Sequence, residues 1–169
     1  MNKAPGIDFS AGSLGQGVSA ACGMALAGKL GHKDYRVYTI LGDGEIEEGQ
    51  VWDAAMFAYH YKLDNLCFII DNNDLQIDGR VGEVSSPYPI DEKFRAFGFE
   101  VFCCDGHDFA ALEETFQKVL KVTGKPAAII AKTVKGKGVS YMEDQVGWHG
   151  KAPNDAEYEQ GMKELEEVR

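Results

Sequence analysis

Two short stretches hold the residues best suited to chemistry. Gly42-Asp43-Gly44 sets a carboxylate between two glycines, and Asp71-Asn72-Asn73 sets two amides beside another carboxylate. The glycines allow a tight turn and a close approach of backbone to a ligand. A carboxylate oxygen and an amide oxygen are hard donors, suited to Mg²⁺ or Ca²⁺. Magnesium takes few protein ligands and is commonly completed by phosphate oxygens. Each stretch alone is also an ordinary turn, because Asp-Gly and Asn are common turn formers. The pair of them, GDG and then Asn-Asn thirty residues on, is much more specific than either half.

The elements that must carry these residues follow from the apolar pattern. The first ten residues read as loop, broken by Pro5 and Gly6. Small and apolar residues recur at helical spacing over 14–30, with Gly31 as the expected C-cap. The pattern then predicts a strand over 37–41, a helix over 48–61 and a strand over 66–70. A Gly/Pro/Ser-rich loop over 78–89 and a short helix over 91–97 come next, then a strand over 99–103. Asp108 is placed to cap a helix over 110–122. A fourth strand over 127–132, a Gly-rich loop over 133–153 and an acidic helix from a cap at Asn154 through Val168 complete the chain. Strands that are near-continuous apolar runs, alternating with helices, predict an α/β fold: a mostly parallel sheet with helices on both faces. Such sheets bind ligands beyond the carboxyl ends of their strands. The stretches to watch are therefore Gly42-Asp43-Gly44, Asn72-Asn73, Asp105-Gly106-His107 and the loop after Lys132. Consecutive parallel strands lying side by side would let Asp43 and Asn73 share one ligand.

Composition narrows the classes. A chain of 169 residues is the size of one domain, and the expected unit is a single domain over 1–169. With 44% hydrophobic and 26% charged residues it is neither disordered nor fibrous. The net charge of -10 argues against non-specific nucleic-acid binding. A phosphorylated ligand would need a local cation against that field, and a divalent metal could supply it. No apolar run reaches the ~20 residues that span a bilayer, and residues 1–6 hold no apolar signal segment. The four cysteines form no CxxC pair, so neither a disulfide framework nor a zinc site is expected. Cys67 and Cys103 fall in strand-like runs, where a free thiol acts as a small hydrophobe. A reducing, cytoplasmic compartment is expected.

The segment GDGEIEEGQVWDAAMFAYHYKLDNLCFIIDNN resembles the thiamine-diphosphate motif, which runs from GDG to NN. Gly12-Ser13-Leu14-Gly15-Gln16-Gly17 is similar to the Gly-x-Leu-Gly-Gln-Gly segment of transketolases. Leu75-Gln76-Ile77-Asp78-Gly79, Asp105-Gly106-His107-Asp108 and Gly147-Trp148-His149-Gly150 also resemble transketolase segments. The resemblance runs over nearly the whole chain and is strongest to the N-terminal subunit of transketolases split into two polypeptides.

That resemblance implies a set of roles. Asp43 and Asn73 would hold Mg²⁺ through side-chain oxygens and Leu75 through its carbonyl, with diphosphate oxygens and water completing the shell. Gly44 would offer its N–H to the diphosphate. Gly12 and Leu14 would lie along the cofactor, and Ile77 beside the thiazolium. His149 would bind the cofactor beside its diphosphate, by the reacting centre, and hydrogen-bond the donor's hydroxyl or a developing oxyanion. Blander readings stand beside these. His107 is expected to order its loop, His32 and His60 to lie on helix surfaces, and Lys135 and Lys137 to be solvated. Glu47 and Glu48 favour a helix N-terminus; in the family an acid matching Glu48 lies at the subunit interface. Asp53 stands where relatives usually have Glu, and the acidic stretch 157–167 reads as a solvated helix face.

The resemblance also implies that about a hundred family residues precede the point where this sequence begins, so an N-terminally shortened domain is expected. The glutamate that activates the cofactor's aminopyrimidine would come from a pyrimidine-binding domain, carried by a partner C-terminal subunit. The expected activity is transfer of a two-carbon ketol unit between sugar phosphates, with the isolated chain inactive. A catalytically inactive cofactor-binding remnant and another thiamine-dependent enzyme stay open as alternatives. A homo-oligomer is expected, with the helices over 14–30 and 48–61 as its surface.

Overall fold

The computed structural model describes residues 5–167. The start of the expected N-terminal loop, residues 1–4, and Val168 of the expected last helix lie outside the described residues. In chain order the elements are α1 (Gln16–Leu30), β1 (Val37–Gly42), α2 (Gly49–His60), β2 (Leu66–Asn72), β3 (Leu75–Gln76), β4 (Gly79–Arg80), α3 (Val81–Val84), α4 (Ile90–Ala96), β5 (Glu100–Asp105), α5 (Phe109–Val119), β6 (Ala127–Lys132) and α6 (Asp155–Glu167). Single 3-10 turns occupy Glu45–Glu47 and Val146–Trp148.

Four strands form one parallel sheet in the order β1-β2-β6-β5, and β3 and β4 form a small antiparallel pair. The central strands β2 and β6 are buried along nearly their whole length, as continuous apolar runs require. The outer strands β1 and β5 instead alternate between covered and open positions. One sheet face, with Phe68, Ile70 and Ile130, packs under α1, α2 and α4. The other, with Cys67 and Ile129, packs under α5 through Val119. That second cover reaches β1 at Tyr38, which packs edge-on against Phe116, and Ile40 beyond it is left 69% exposed.

Local chemistry explains the element ends. Asp108 Oδ1 accepts from the N–H groups of Ala110 and Ala111 at 2.8 and 3.2 Å, the expected cap. Asn154 Oδ1 accepts from Glu157 N–H at 2.9 Å, while Glu157 Oε2 accepts from Asn154 N–H at 2.8 Å, a reciprocal capping box. Gly31 does follow α1, but the left-handed residue is His32, at φ 50°. Of the glycines of α1, Gly28 has a packing reason. A Cβ on Gly28 would lie 2.8 Å from the Tyr35 ring, whose hydroxyl donates to the Met24 carbonyl at 2.8 Å.

Two expectations need correction. The stretch 78–89 is not all loop, because it contains β4 and the single turn α3. Cys103 is exposed, since it lies on the outer strand β5, whereas Cys67 is buried as expected. Burial pushes the Cys22 and Cys67 thiols up to about 12. No helix among the described residues is long and apolar enough to cross a membrane.

Candidate functional site

Register brings the two polar stretches together. β1 and β2 are neighbours with Gly42 opposite Asp71, so GDG and Asp-Asn-Asn leave the sheet side by side. Asp43 N–H donates to the Asp71 carbonyl at 3.2 Å, continuing the ladder one residue past the strand. The Asp43 side chain then turns inward and is 1% exposed. Its Oδ2 accepts from Asn72 Nδ2 at 2.9 Å and from Asp74 N–H at 2.6 Å, and its Oδ1 accepts from Gly44 N–H at 2.9 Å. Asn73, also buried, accepts from Leu75 N–H through Oδ1 at 3.1 Å, which turns the chain into β3.

Among the described residues no lysine, arginine or histidine forms an ion pair with Asp43. Its pKa is raised from the usual carboxylate value: desolvation by burial outweighs the N–H donors, and the nearby Asp71 charge adds to the rise. A buried carboxylate with donors but no cation fits a divalent ion. No group of three His, Cys, Asp or Glu able to hold a metal alone occurs among the described residues. An ion here would draw on one carboxylate, the Asn73 amide, the Leu75 carbonyl and oxygens of its own ligand, a hard-donor set. Asn73 Oδ1 keeps a second lone pair for that purpose.

The other expected residues are placed less tightly. Gly44 spends its N–H on Asp43, so serving a phosphate would need that contact to open. Gly44 must stay small in any case, because a Cβ would lie 3.0 Å from that of Gln76. Leu14 and Ile77 are 61% and 65% exposed, apolar surfaces in need of a cover. Gly12 is exposed, with open space where a Cβ would stand. His149 is exposed at the end of the Val146–Trp148 turn, and no hydrogen bond joins its side chain to the Asp43 cluster. Its neighbour Trp148 stacks on Tyr141 and lies under Lys151. His107 does order its loop: Nε2 accepts from Val134 N–H at 2.8 Å. Lys137 pairs with Glu143 at 3.4 Å.

Several residues that build the site went unread. Glu45 accepts from Gly15 N–H and Gly42 N–H, both at 3.0 Å, and ties the Gly12–Gly17 segment to the GDG turn. Glu47, expected only to favour a helix N-terminus, also accepts from Gln76 Nε2 at 2.8 Å. The Tyr88 hydroxyl accepts from Asn72 Nδ2 at 2.8 Å and donates to Asp74 Oδ1 at 3.1 Å. The acid run after GDG was the available signal for Glu45; nothing local marks Tyr88. Beyond the ends of β2, β6 and β5 lies a cleft of about 910 Å³, lined in part by Asn72, Tyr88, Cys103, His107 and Lys132. A second hollow of about 630 Å³ runs beside β1, lined by Phe9, Leu14, Ile40 and Glu45 among others.

Comparison with known proteins agrees with this geometry. Residues 1–166 match the family described as transketolase, thiamine diphosphate binding domain. A 6-deoxy-6-sulfo-D-fructose transketolase subunit of Clostridium sp. is 42% identical over 98% of the chain and 60% of its own length. An apulose-4-phosphate transketolase subunit of Actinobacillus succinogenes is 40% identical, with the same coverage. The chain thus spans about three fifths of the length of these relatives. The transketolase of Campylobacter jejuni superposes with a TM-score of 0.89 at 32% identity, over 95% of this chain and 26% of that one. With the parallel sheet, the paired GDG and Asn-Asn turns and these matches in agreement, the chain belongs to the transketolase thiamine diphosphate binding domain family.

Proposed function

We propose that the chain is the cofactor-holding part of a transketolase-type subunit. It would bind thiamine diphosphate with Mg²⁺ for transfer of a two-carbon ketol unit between sugar phosphates. The observation that carries this reading is the buried Asp43, unpaired with any cation among the described residues yet gathered with Asn72, Asn73 and Asp74 at adjacent strand ends. Asp43, Asn73 and the Leu75 carbonyl hold the ion, and Ca²⁺ would suit the same donors. Bound there, thiamine diphosphate supplies a thiazolium that serves as electron sink. Gly12, Leu14 and Ile77 present surface to the cofactor, and Gly44 keeps the turn narrow enough for backbone approach. His149 would contact the donor's reacting hydroxyl.

A C-terminal subunit with a pyrimidine-binding domain is the expected partner, because the relatives matched over nearly the whole chain include split subunits. Association between copies of the chain is part of the same reading, as are sugar phosphates as substrates. Free cysteines suit a reducing compartment such as the cytoplasm.

The test is titration calorimetry with thiamine diphosphate and Mg²⁺. Asp43→Asn keeps the size of the side chain and removes its charge. It should weaken Mg²⁺-dependent binding roughly a hundredfold, as the loss of a charged contact of ~3 kcal/mol does. Affinity left within about threefold of the wild type would sink the assignment.

A further inference from the structure

Arg80 joins two segments that no sheet ladder connects. It stands opposite Leu75 in the β3–β4 pair, so the hairpin that offers the Leu75 carbonyl also carries this guanidinium. One Nη donates to Asp74 Oδ2 at 3.2 Å, and the other to Asp144 Oδ2 at 2.6 Å. Asp74 is the residue whose N–H binds Asp43 and whose Oδ1 accepts from Tyr88. Asp144 lies in the loop after β6, where its N–H donates to the Lys135 carbonyl at 3.0 Å, just before the turn that leads to His149.

Both aspartates are bent in the same unusual way. Asp74 has φ 64° and Asp144 φ 55°, the left-handed region that residues other than glycine seldom adopt. Arg80 therefore grips two turns that each pass through the left-handed region at an aspartate, a residue that tolerates it. A guanidinium can serve two carboxylates at once through its planar fork, which an ammonium cannot do in a fixed geometry. The resulting chain of contacts runs from Asp43 through Asp74 and Arg80 to Asp144 without a break.

We propose that Arg80 is a positioning residue that couples the Asp43–Asp74 turn to the loop carrying His149, so that filling the oxygen cluster and fixing the loop are one event. This rests on the cofactor reading above. Arg80 itself touches neither metal nor cofactor in this scheme. Its effect passes through Asp74 on one side and Asp144 on the other.

The experiment reads the loop directly. Lys135, Lys137 and Lys151 are tryptic sites within or beside it, and their cleavage can be followed by mass spectrometry. Wild type, Arg80→Gln, Arg80→Lys, Asp144→Asn and the Gln/Asn double variant are digested with and without Mg²⁺ and thiamine diphosphate. Calorimetry on each protein sets the saturating concentration. Ligand should slow loop cleavage in the wild type by about fivefold or more, the scale of an ordinary coupling between sites. In Arg80→Gln and Asp144→Asn the slowing should fall below about twofold. The double variant should be no worse than either single one, because one bridge is lost in all three. Arg80→Lys should fall between wild type and Arg80→Gln. Melting temperatures should agree within about 3 °C, since the pair is half exposed, which separates coupling from general loosening. Equal ligand protection in wild type and Arg80→Gln overturns this proposal and leaves the cofactor reading intact, as does a double variant whose loss is the sum of the singles. Absence of calorimetric binding to the wild type overturns the cofactor reading and this coupling with it.

Discussion

Burying a carboxylate without a cation beside it favours the protonated acid, and Asp43 is in that position. Its consequence for stability has a definite sign. The folded chain holds this proton to higher pH than the unfolded chain, whose aspartate titrates at about 3.9. Above that value and up to the raised folded one, the native state binds more protons, so the contribution of Asp43 falls as pH rises and is least favourable above both. Asp43→Asn has no such titration. The melting temperature of the variant relative to wild type should therefore become more favourable as pH rises above about 4 in metal-free buffer, and level off once the folded-state carboxyl is ionised. A difference that stays flat with pH would remove the desolvation argument. Truncation to alanine is the poorer probe, because it strands N–H donors on Gly44 and Asp74 at about 1–3 kcal/mol apiece. At this scale Asp43 and Asn73 were legible from residue type and spacing. Glu45 and Tyr88 were not, since their partners come from segments 30 and 16 residues away. Arg80 is of the same kind, 64 residues from Asp144.

Among the elements, the strands and long helices were legible because apolar periodicity is a local property. β3, β4 and α3 were not, because two- to four-residue pieces carry no period and exist through contacts such as Asn73 with Leu75. The strand pattern also could not say which strands are outermost, and that alone decides that Cys103 is exposed and Cys67 buried. Helix α2 leaves apolar side chains open that an assembly would cover. Ala54, Ala55 and Ala58 face the core, while Met56, Phe57 and Tyr59 lie open on the other side, with Met56 53% exposed. Large apolar side chains gathered on one exposed helix face suit an interface. The chain should therefore associate through α2, with α1 alongside. Light scattering at high micromolar concentration should give a mass of at least two chains. Met56→Lys should weaken the association by about tenfold, the effect of one interface residue worth ~1 kcal/mol or more. A strictly monomeric wild type at that concentration removes α2 from consideration.

For the molecule as a whole, the question is whether this domain can turn over sugar unaided. On the proposed cofactor reading, thiamine diphosphate would need a carboxylic acid beside its aminopyrimidine to assist proton transfer. The carboxylates around the Asp43 cluster are already committed to the scaffold. Asp43 accepts three N–H groups, Glu45 two backbone N–H groups and Glu47 the Gln76 amide, while Asp74 is shared between Arg80 and Tyr88. Each of these four is tied by hydrogen bonds within the scaffold, and among the acids over 43–48 Glu48 is the exposed one. The match over residues 1–166 is to the thiamine diphosphate binding domain, and the split relatives are longer than this chain. The activating acid is therefore expected from another domain, and acid–base help of this kind contributes about 10²–10⁴-fold. Leu14 and Ile77 point the same way, since apolar surface flanking a charged cluster is left open until something covers it. Thiamine diphosphate and Mg²⁺ should bind the purified 169-residue chain, but a coupled assay on ketose and aldose phosphates should detect less than about 1% of the rate reached with a complementary C-terminal subunit. In the paired enzyme His149→Ala should lower turnover and leave cofactor affinity nearly unchanged, because His149 is exposed and apart from the oxygen donors. Strong turnover by the chain alone would mean that Glu48, or one of the committed carboxylates freed from its scaffold contacts, acts as the acid.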